Sequence, residues 1–553
     1  MNAYLMEALR QIMQQIKTTL DEHGDEITTT LQRVALGELK PVETLTPEEL
    51  ECARELFGWV AQHDPMKVWA KVEPLLPELI GSASDIALDE IFVDPGFGEL
   101  PPSLKKLKNK RTLARLGVLL ASYICYDQFH YPQPETGVYN ISGSAFEKLK
   151  WVYRYWFNQL EVAELGSGLE AFFASQRLEF FNLTDPSPDA DSTIASVSVS
   201  CAGDLLAVDV LTPENTEHLF DAITDFYSSA DIVSANLEST VDKNHKPGRN
   251  QQPGEPARMN TSEAMFDKFR HEAKINFFST ATNHAMDYGE SGVLATLDVL
   301  KRSGALYAGT AASQAEQNEV VIFEKDGIKV ALLAYTFDLN GHLVPEGKSY
   351  LANEVRFNDV NPPPDYTLIK KQVAAAQAKG ADWIIAYCHW GWEFEMYPHV
   401  NIVDAAHKVI ECGVDTILGN HPHVSQPAQL IPRTGKQDAL VIYAFGDFVS
   451  YHPDSRNSKL AYSVKFNIGK VKGSTGLFNL QALPLYIVNQ KLKPEDPEDD
   501  RFDCRIVKFF DVLERPTEFG LTELEISQLP HLRDKVWNDI LSPLSSIAQR
   551  FDA

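Results

Sequence analysis

Positive charge is in short supply in this 553-residue chain: 50 Lys plus Arg stand against 77 Asp plus Glu, a formal net charge of −27. Nonspecific nucleic-acid binding needs surplus cations to neutralise phosphates, so that partner class is disfavoured. Long apolar runs are also missing. The longest clean one in the first third, Leu116 to Tyr126, is far short of the ~20 residues that span a bilayer. The opening MNAYLMEALRQIMQQ has no basic segment followed by an apolar one. Neither a secretory signal nor a membrane anchor is expected. Cysteine is sparse and scattered (Cys52, Cys125, Cys201, Cys388, Cys412, Cys504), without a CxxC pair. The expectation is reduced, mostly buried thiols in a cytoplasmic protein. With 44% hydrophobic and 23% charged residues the chain is not mainly disordered. Its length exceeds one compact core, so several domains are expected.

The first 185 residues read as a helical domain. Leu5, Leu9, Ile12, Ile16 and Leu20 recur at helical spacing, and helical patterns return near 104–127, 145–160 and 165–180. Thr46-Pro47-Glu48-Glu49 is a helix start, with Thr as cap, Pro in the first turn and Glu reaching back. The basic run Lys105, Lys106, Lys108, Lys110, Arg111 and Arg115 reads as a solvated helix face in an acidic protein. Residues 186–192 have a linker's Pro, Ser and Asp content. Beyond them, short Val- and Ile-rich runs (194–201, 231–235, 275–280, 329–335, 383–388, 415–418, 439–445) alternate with helical stretches (261–273, 287–303, 365–379, 400–412). This alternation predicts an α/β core with a largely buried sheet. A strand-like stretch at 480–489 and an acidic turn at 493–500 lead into an extension, 491–553, with helical periodicity.

Chemistry-bearing residues sit just after these runs. They are Asp204, Asn236 and Glu238, Asn283 and His284, His389, His421 and His423, and Asp447. In an open α/β sheet, ligands bind at the carboxyl ends of strands, so these endings converge on one rim. Carboxylate, amide oxygen and imidazole suit Zn, Mn, Fe or a similar divalent ion. Such an ion lowers the pKa of a bound water and polarises a phosphoryl or carbonyl oxygen.

The stretches CAGDLL, ANLEST, TNHAMDYGESG, HWGWEFE, GNHPHVSQP and YAFGDF cover roughly 195–490 in order. In them the chain resembles the capsule-synthesis protein CapA family, also described as poly-γ-glutamate synthesis proteins. That family is a branch of the calcineurin-like metallophosphoesterase fold. The resemblance implies an α/β domain over 193–490, a sandwich of the metallophosphoesterase type with helices flanking two sheets; it does not extend to the all-α domain over 1–185 or to the tail. It implies Asp204, Glu238, Asn283, His389, His421 and His423 as metal ligands, and His284 as the acid near the leaving group. Two departures stand out. Where the phosphoesterases have Asp-x-His, Asp204 is followed by Leu205 and Leu206, and the bridging carboxylate is Glu238 rather than Asp. One tight metal site and one weak or vacant one are therefore expected.

The expected function is a metal-dependent hydrolase acting on an anionic peptide, γ-glutamyl polymer or phosphoester. One alternative is a peptide Cα epimerase, with Asp204 paired to His284 or to a closing-motif imidazole such as His423. Another is a non-catalytic accessory protein of polymer synthesis. The basic loop 241–260, with Arg249 and Arg258, suggests an anionic substrate. Glu393 and Trp390 are further substrate-binding candidates, whereas Glu395 reads as solvent-facing. Asp447 reads as a partner for a metal-bound imidazole. The helical N-terminal domain is a candidate partner- or peptide-binding module.

Overall fold

The computed structural model describes residues 3–36, 45–63, 65, 67, 102–103, 110–140, 145–157, 160–180, 195–251, 256–471, 474–496 and 498–548. The linker 186–192 and Lys105, Lys106 and Lys108 lie outside them. The chain forms two compact units, Met1–Gln133 with Asn140–Leu160, and Pro134–Tyr139 with Glu161–Ala553. The sequence reading placed the change at 185. In the structure residues 161–180 go with the second unit, where Phe173 packs edge-on against Tyr443 at 5.5 Å.

Among the described residues the first unit is all-α. Helices Ala3–Ala35, Pro47–Gln62, Lys110–Ile124 and Ala145–Phe157 bury Ile16, Leu20, Leu31, Phe57, Leu119, Tyr153 and Phe157 together. The Thr46 cap forms as read. Its side chain accepts from the Glu49 N–H, and the Glu49 carboxylate accepts from the Thr46 N–H. Arg115, expected on a solvated face, is instead buried, with Nε donating to Glu49 Oε1 at 2.8 Å.

The second unit is mixed α/β and built on two sheets. Its strands are β1 (Ser196–Leu205), β2 (Ile232–Leu237), β3 (Gly248–Asn250), β4 (Arg258–Asn260), β5 (Phe277–Ser279), β6 (Leu306–Ala308), β7 (Val321–Lys325) and β8 (Ile328–Thr336). They continue with β9 (Trp383–His389), β10 (Thr416–Asn420), β11 (Ala428–Ile431), β12 (Ala439–Ile442), β13 (Asp447–Val449), β14 (Leu460–Val471), β15 (Ser474–Lys491) and β16 (Phe502–Lys508). One sheet runs β16-β15-β14-β1-β2-β5-β6, with β13 also pairing β1, and the other runs β11-β12-β10-β9-β8-β7. β3 and β4 form a separate ribbon. The inner strands β1, β2 and β5 are parallel, as are β8, β9, β10 and β12. Parallel strands buried on both faces read as continuous apolar runs, which is why the sequence reveals them. Helices Glu263–His271, Gly289–Ser303, Thr367–Ala378 and Val400–Glu411 fall where expected.

The tail after 491, expected to be partly helical, also adds a strand. β16 extends the first sheet, and its outer edge is covered when Cys504 N–H donates to Asn215 O and Ile506 N–H to Leu219 O. All six cysteines are free, and Cys412 alone is not buried. Among the described residues no helix is long and apolar enough to cross a membrane.

The loop after β9 is pinned by a buried triad. His399 Nε2 lies 2.6 Å from Glu395 Oε2, and Nδ1 lies 2.9 Å from Glu164 Oε1. Glu395 is thus 1% exposed, not solvent-facing. Burial opposes the His399 proton, but the two carboxylates prevail and raise it to about 9. The stabilisation is therefore complete below the ordinary histidine value and lost as pH rises through about 9. The stability gap between the unaltered protein and Glu395→Gln should be on the order of 2 kcal/mol in mild acid and close by roughly pH 10. Urea unfolding across that range checks it, and a gap that does not narrow contradicts it.

Candidate metal centre

The rim is assembled from both sheets. β1 delivers Asp204, β2 delivers Asn236 and leads to Glu238, and the turn after β5 carries Asn283 and His284. β9 ends on His389, and the turn after β10 carries His421 and His423. Two glycines allow the close approach. A Cβ on Gly203 would meet Gly446 O at 1.7 Å, and one on Gly419 would meet Tyr443 O at 2.0 Å. His421 and His423 have φ of +104° and +56°, conformations rarely adopted by residues with a Cβ and typical of functional turns.

Two ligand groups share Glu238. One contains Glu238, His389 and His421, and the other Asp204, Glu238 and His423. Glu238 Oε1 lies 3.5 Å from His389 Nε2 and 3.6 Å from His423 Nε2. Asn283 Oδ1 lies 2.9 Å from His389 Nε2, which places it in the first group. Asp204 is more committed to protein partners. Its Oδ1 accepts from Asn236 Nδ2 at 2.6 Å and its Oδ2 from the His421 N–H at 3.2 Å.

The donor set fits a cation on an independent observation. Both carboxylate oxygens of Glu238, both ring nitrogens of His421 and Asn420 Oδ1 are buried with no hydrogen-bond partner among the described residues. Buried polar atoms are normally satisfied, and these five unsatisfied ones fall on three residues of the rim. Electrostatics agree. Burial pushes the Glu238 carboxyl well above the usual carboxylate range, and Asp204 up to about 7 against His423 and its hydrogen bonds. Burial and neighbouring imidazoles hold His389 and His421 well below the usual histidine range, in the neutral form that ligates metals. Burial also opposes charge on His423, but Glu238 and Asp447 outweigh it and raise that ring.

Supporting groups complete the centre. His423 Nδ1 lies 2.8 Å from Asp447 Oδ1, which leaves Nε2 toward Glu238, a carboxylate–imidazole arrangement common around metals. Asp447 Oδ2 accepts from Ser450 Oγ at 2.7 Å. His452, singled out by no motif, stands 3.9 Å from Asp447 Oδ2, and burial lowers it to about 4. His284 Nδ1 lies 2.8 Å from Asp287 Oδ2, which also accepts from the Met259 N–H of the β3–β4 ribbon.

The substrate candidates fall in different places. Arg249 is exposed on β3, with Nε 3.4 Å from Asp209 Oδ2, and is near enough to His452 to disfavour its proton. Arg258, on β4, lies over the Tyr288 ring at 6.0 Å. Glu393 Oε1 lies 4.0 Å from His421 Nε2. Trp390 packs inside the core, with Nε1 donating to Tyr443 O at 3.0 Å. Asn236, noted at the end of its run but given no role by the resemblance, bridges Asp204 Oδ1 and His389 Nδ1 from two positions before Glu238. The two-residue period of a strand puts Asn236 and Glu238 on one face, a usable signal.

These elements define an α/β protein with two buried groups of His, Asp and Glu, sharing Glu238, that could hold a metal ion. Residues 198–452 match the family described as bacterial capsule synthesis protein PGA_cap. The PGA biosynthesis protein CapA of Bacillus subtilis (strain 168) is 25% identical over 297 residues, 52% of this chain and 72% of that one. The capsule biosynthesis protein CapA of Bacillus anthracis is 24% identical over 261 residues, 46% of this chain and 59% of that one. Among solved structures, the calcineurin-like phosphoesterase YfkN from Bacillus subtilis overlaps 53% of this chain and 91% of that one, at 14% identity and a TM-score of 0.28. Through its α/β unit, the chain is similar to the CapA family of capsule synthesis proteins.

Proposed function

We propose that this protein is a metal-dependent hydrolase acting on an anionic substrate, with a γ-glutamyl or other peptide bond ahead of a phosphoester. The observation that carries this reading is the group of buried, unsatisfied carboxylate and imidazole atoms on Glu238 and His421, beside His389 and Asn283. Glu238, Asn283, His389 and His421 would hold the tighter cation. Asp204 and His423 would complete a weaker position with Glu238, because both Asp204 oxygens already accept hydrogen bonds. The bound ion would supply polarisation of the scissile group and a lowered water pKa. His284 protonates the leaving group. Its Nδ1 is held by Asp287, so Nε2 is the nitrogen able to give a proton.

The substrate's charge is read from the ribbon beside the site and from the relatives' names, which refer to PGA and capsule biosynthesis. Lys243, Lys246 and Arg249 are exposed on the 243–249 stretch of an otherwise acidic protein. Such a patch draws anions toward the mouth.

The test uses full-length protein stripped by a chelator and reloaded with Mn²⁺ or Zn²⁺. It is incubated separately with poly-γ-glutamate and with bis(p-nitrophenyl) phosphate. New amine ends from the polymer are the expected result. His284→Gln should lower kcat by about 10²- to 10⁴-fold with cation content unchanged. Solvent deuterium entering a peptide Cα without cleavage would move the assignment to an epimerase. Loaded protein inert toward both substrates would refute the hydrolase.

A further inference from the structure

An asparagine that ligates a metal must present its oxygen. The two ends of the amide are alike in shape, so neighbouring hydrogen bonds decide which one faces the ion. Asn283 Oδ1 faces His389 Nε2 at 2.9 Å, while its Nδ2 donates to Asn340 Oδ1 at 3.3 Å. We propose that Asn340 is a positioning residue that fixes the orientation of the Asn283 amide and so completes the tighter cation site. The proposal rests on the metal-site reading above.

A flipped Asn283 would set its oxygen against Asn340 Oδ1, acceptor against acceptor, and turn its NH₂ toward the place of the ion. Neither contact is favourable, so the Asn340 acceptor selects the ligating orientation. Asn340 is itself well placed. It lies in the loop between β8 and the turn Ser349–Leu351, and its N–H donates to Asp338 Oδ2 at 3.0 Å. Asp338 is in turn paired with Arg356. Asn340 Nδ2 lies 3.4 Å from His284 Nδ1, so the same side chain touches both members of the Asn-His pair. Its backbone has φ of +51°, a left-handed conformation that asparagine tolerates better than most residues. Asparagine therefore suits this position twice, through its backbone and through its amide. No motif in the sequence marks it.

The left-handed backbone supplies a clean experiment, because glycine keeps that φ and removes only the amide. Full-length protein is stripped of metal and titrated with Mn²⁺ for the unaltered chain, Asn340→Gly and Asn340→Asp. Dissociation constants are measured by competition with a chelator, and thermal midpoints are recorded alongside. Asn340→Gly should weaken Mn²⁺ binding by about 10- to 100-fold, the usual effect of losing a group that orients a ligand. Asn340→Asp keeps the acceptor and should bind within about threefold of the unaltered protein, or tighter. A role confined to loop stability would move the thermal midpoint of Asn340→Gly and leave its Mn²⁺ constant unchanged, which overturns the proposal. Aspartate no better than glycine also overturns it, since the acceptor is then immaterial. If the unaltered protein binds no Mn²⁺, the metal-site reading fails first and this inference with it.

Discussion

His389→Ala is expected to leave the full-length protein with little of its divalent cation. His389 Nε2 stands within 3.5 Å of Glu238 Oε1 and 2.9 Å of Asn283 Oδ1, at the centre of the ligand group proposed to be the tighter. A four-ligand site worth roughly 10–16 kcal/mol shares about 3 kcal/mol to each ligand. Losing one weakens binding by two to three orders of magnitude. In the proposed reaction, turnover should fall at least as far. Cation content by mass spectrometry, with circular dichroism confirming the fold, checks this. A folded variant that retains its metal would remove His389 from the site.

The second large effect concerns stability. Gly419 lies in β10, one residue before Asn420 and two before His421. A methyl group there would sit 2.0 Å from Tyr443 O and 2.7 Å from Ile442 O, both backbone atoms of the chain leaving β12. Backbone inside a paired sheet cannot move aside cheaply. Gly419→Ala should therefore cost at least about 4 kcal/mol, a large share of the usual 5–15 kcal/mol margin. It should also displace the turn that carries His421 and His423. Urea unfolding of the variant should show a much lower midpoint, or the protein should be recovered insoluble. An unchanged midpoint would mean that the strands are not packed as described.

Much of the rim can be read from the sequence because of how parallel strands are buried. β2, β9 and β10 are covered on both faces, so they read as apolar runs, and the polar residue that ends each run stands out. Glu238, His389 and His421 stand out by this contrast. The antiparallel strands β14 to β16 escape it. In β14, Lys465 and Asn467 alternate with Val464, Phe466 and Ile468, so no apolar run appears. β16 lies in a tail that shows mainly helical periodicity. Asp447, already expected beside an imidazole, is brought opposite Asp204 by β13 pairing with β1, and the proximity of His452 to His423 depends on the same pairing. No local pattern encodes such a long-range pairing. Asn340 is hidden for a different reason: its role comes from a left-handed loop residue and a single amide contact. Glu395 was misread because its neighbours are loop residues, yet its spacing to His399, four positions on, matches the contact that buries it.

The ligand geometry is tested most directly by anomalous diffraction from crystals of the full-length protein soaked in Mn²⁺. The expected result is a strong peak bounded by Glu238, Asn283, His389 and His421, with a weaker one toward Asp204 and His423. A well-ordered crystal with no peak in that crevice, or with manganese only at surface carboxylates, would contradict a cation-binding centre at this rim.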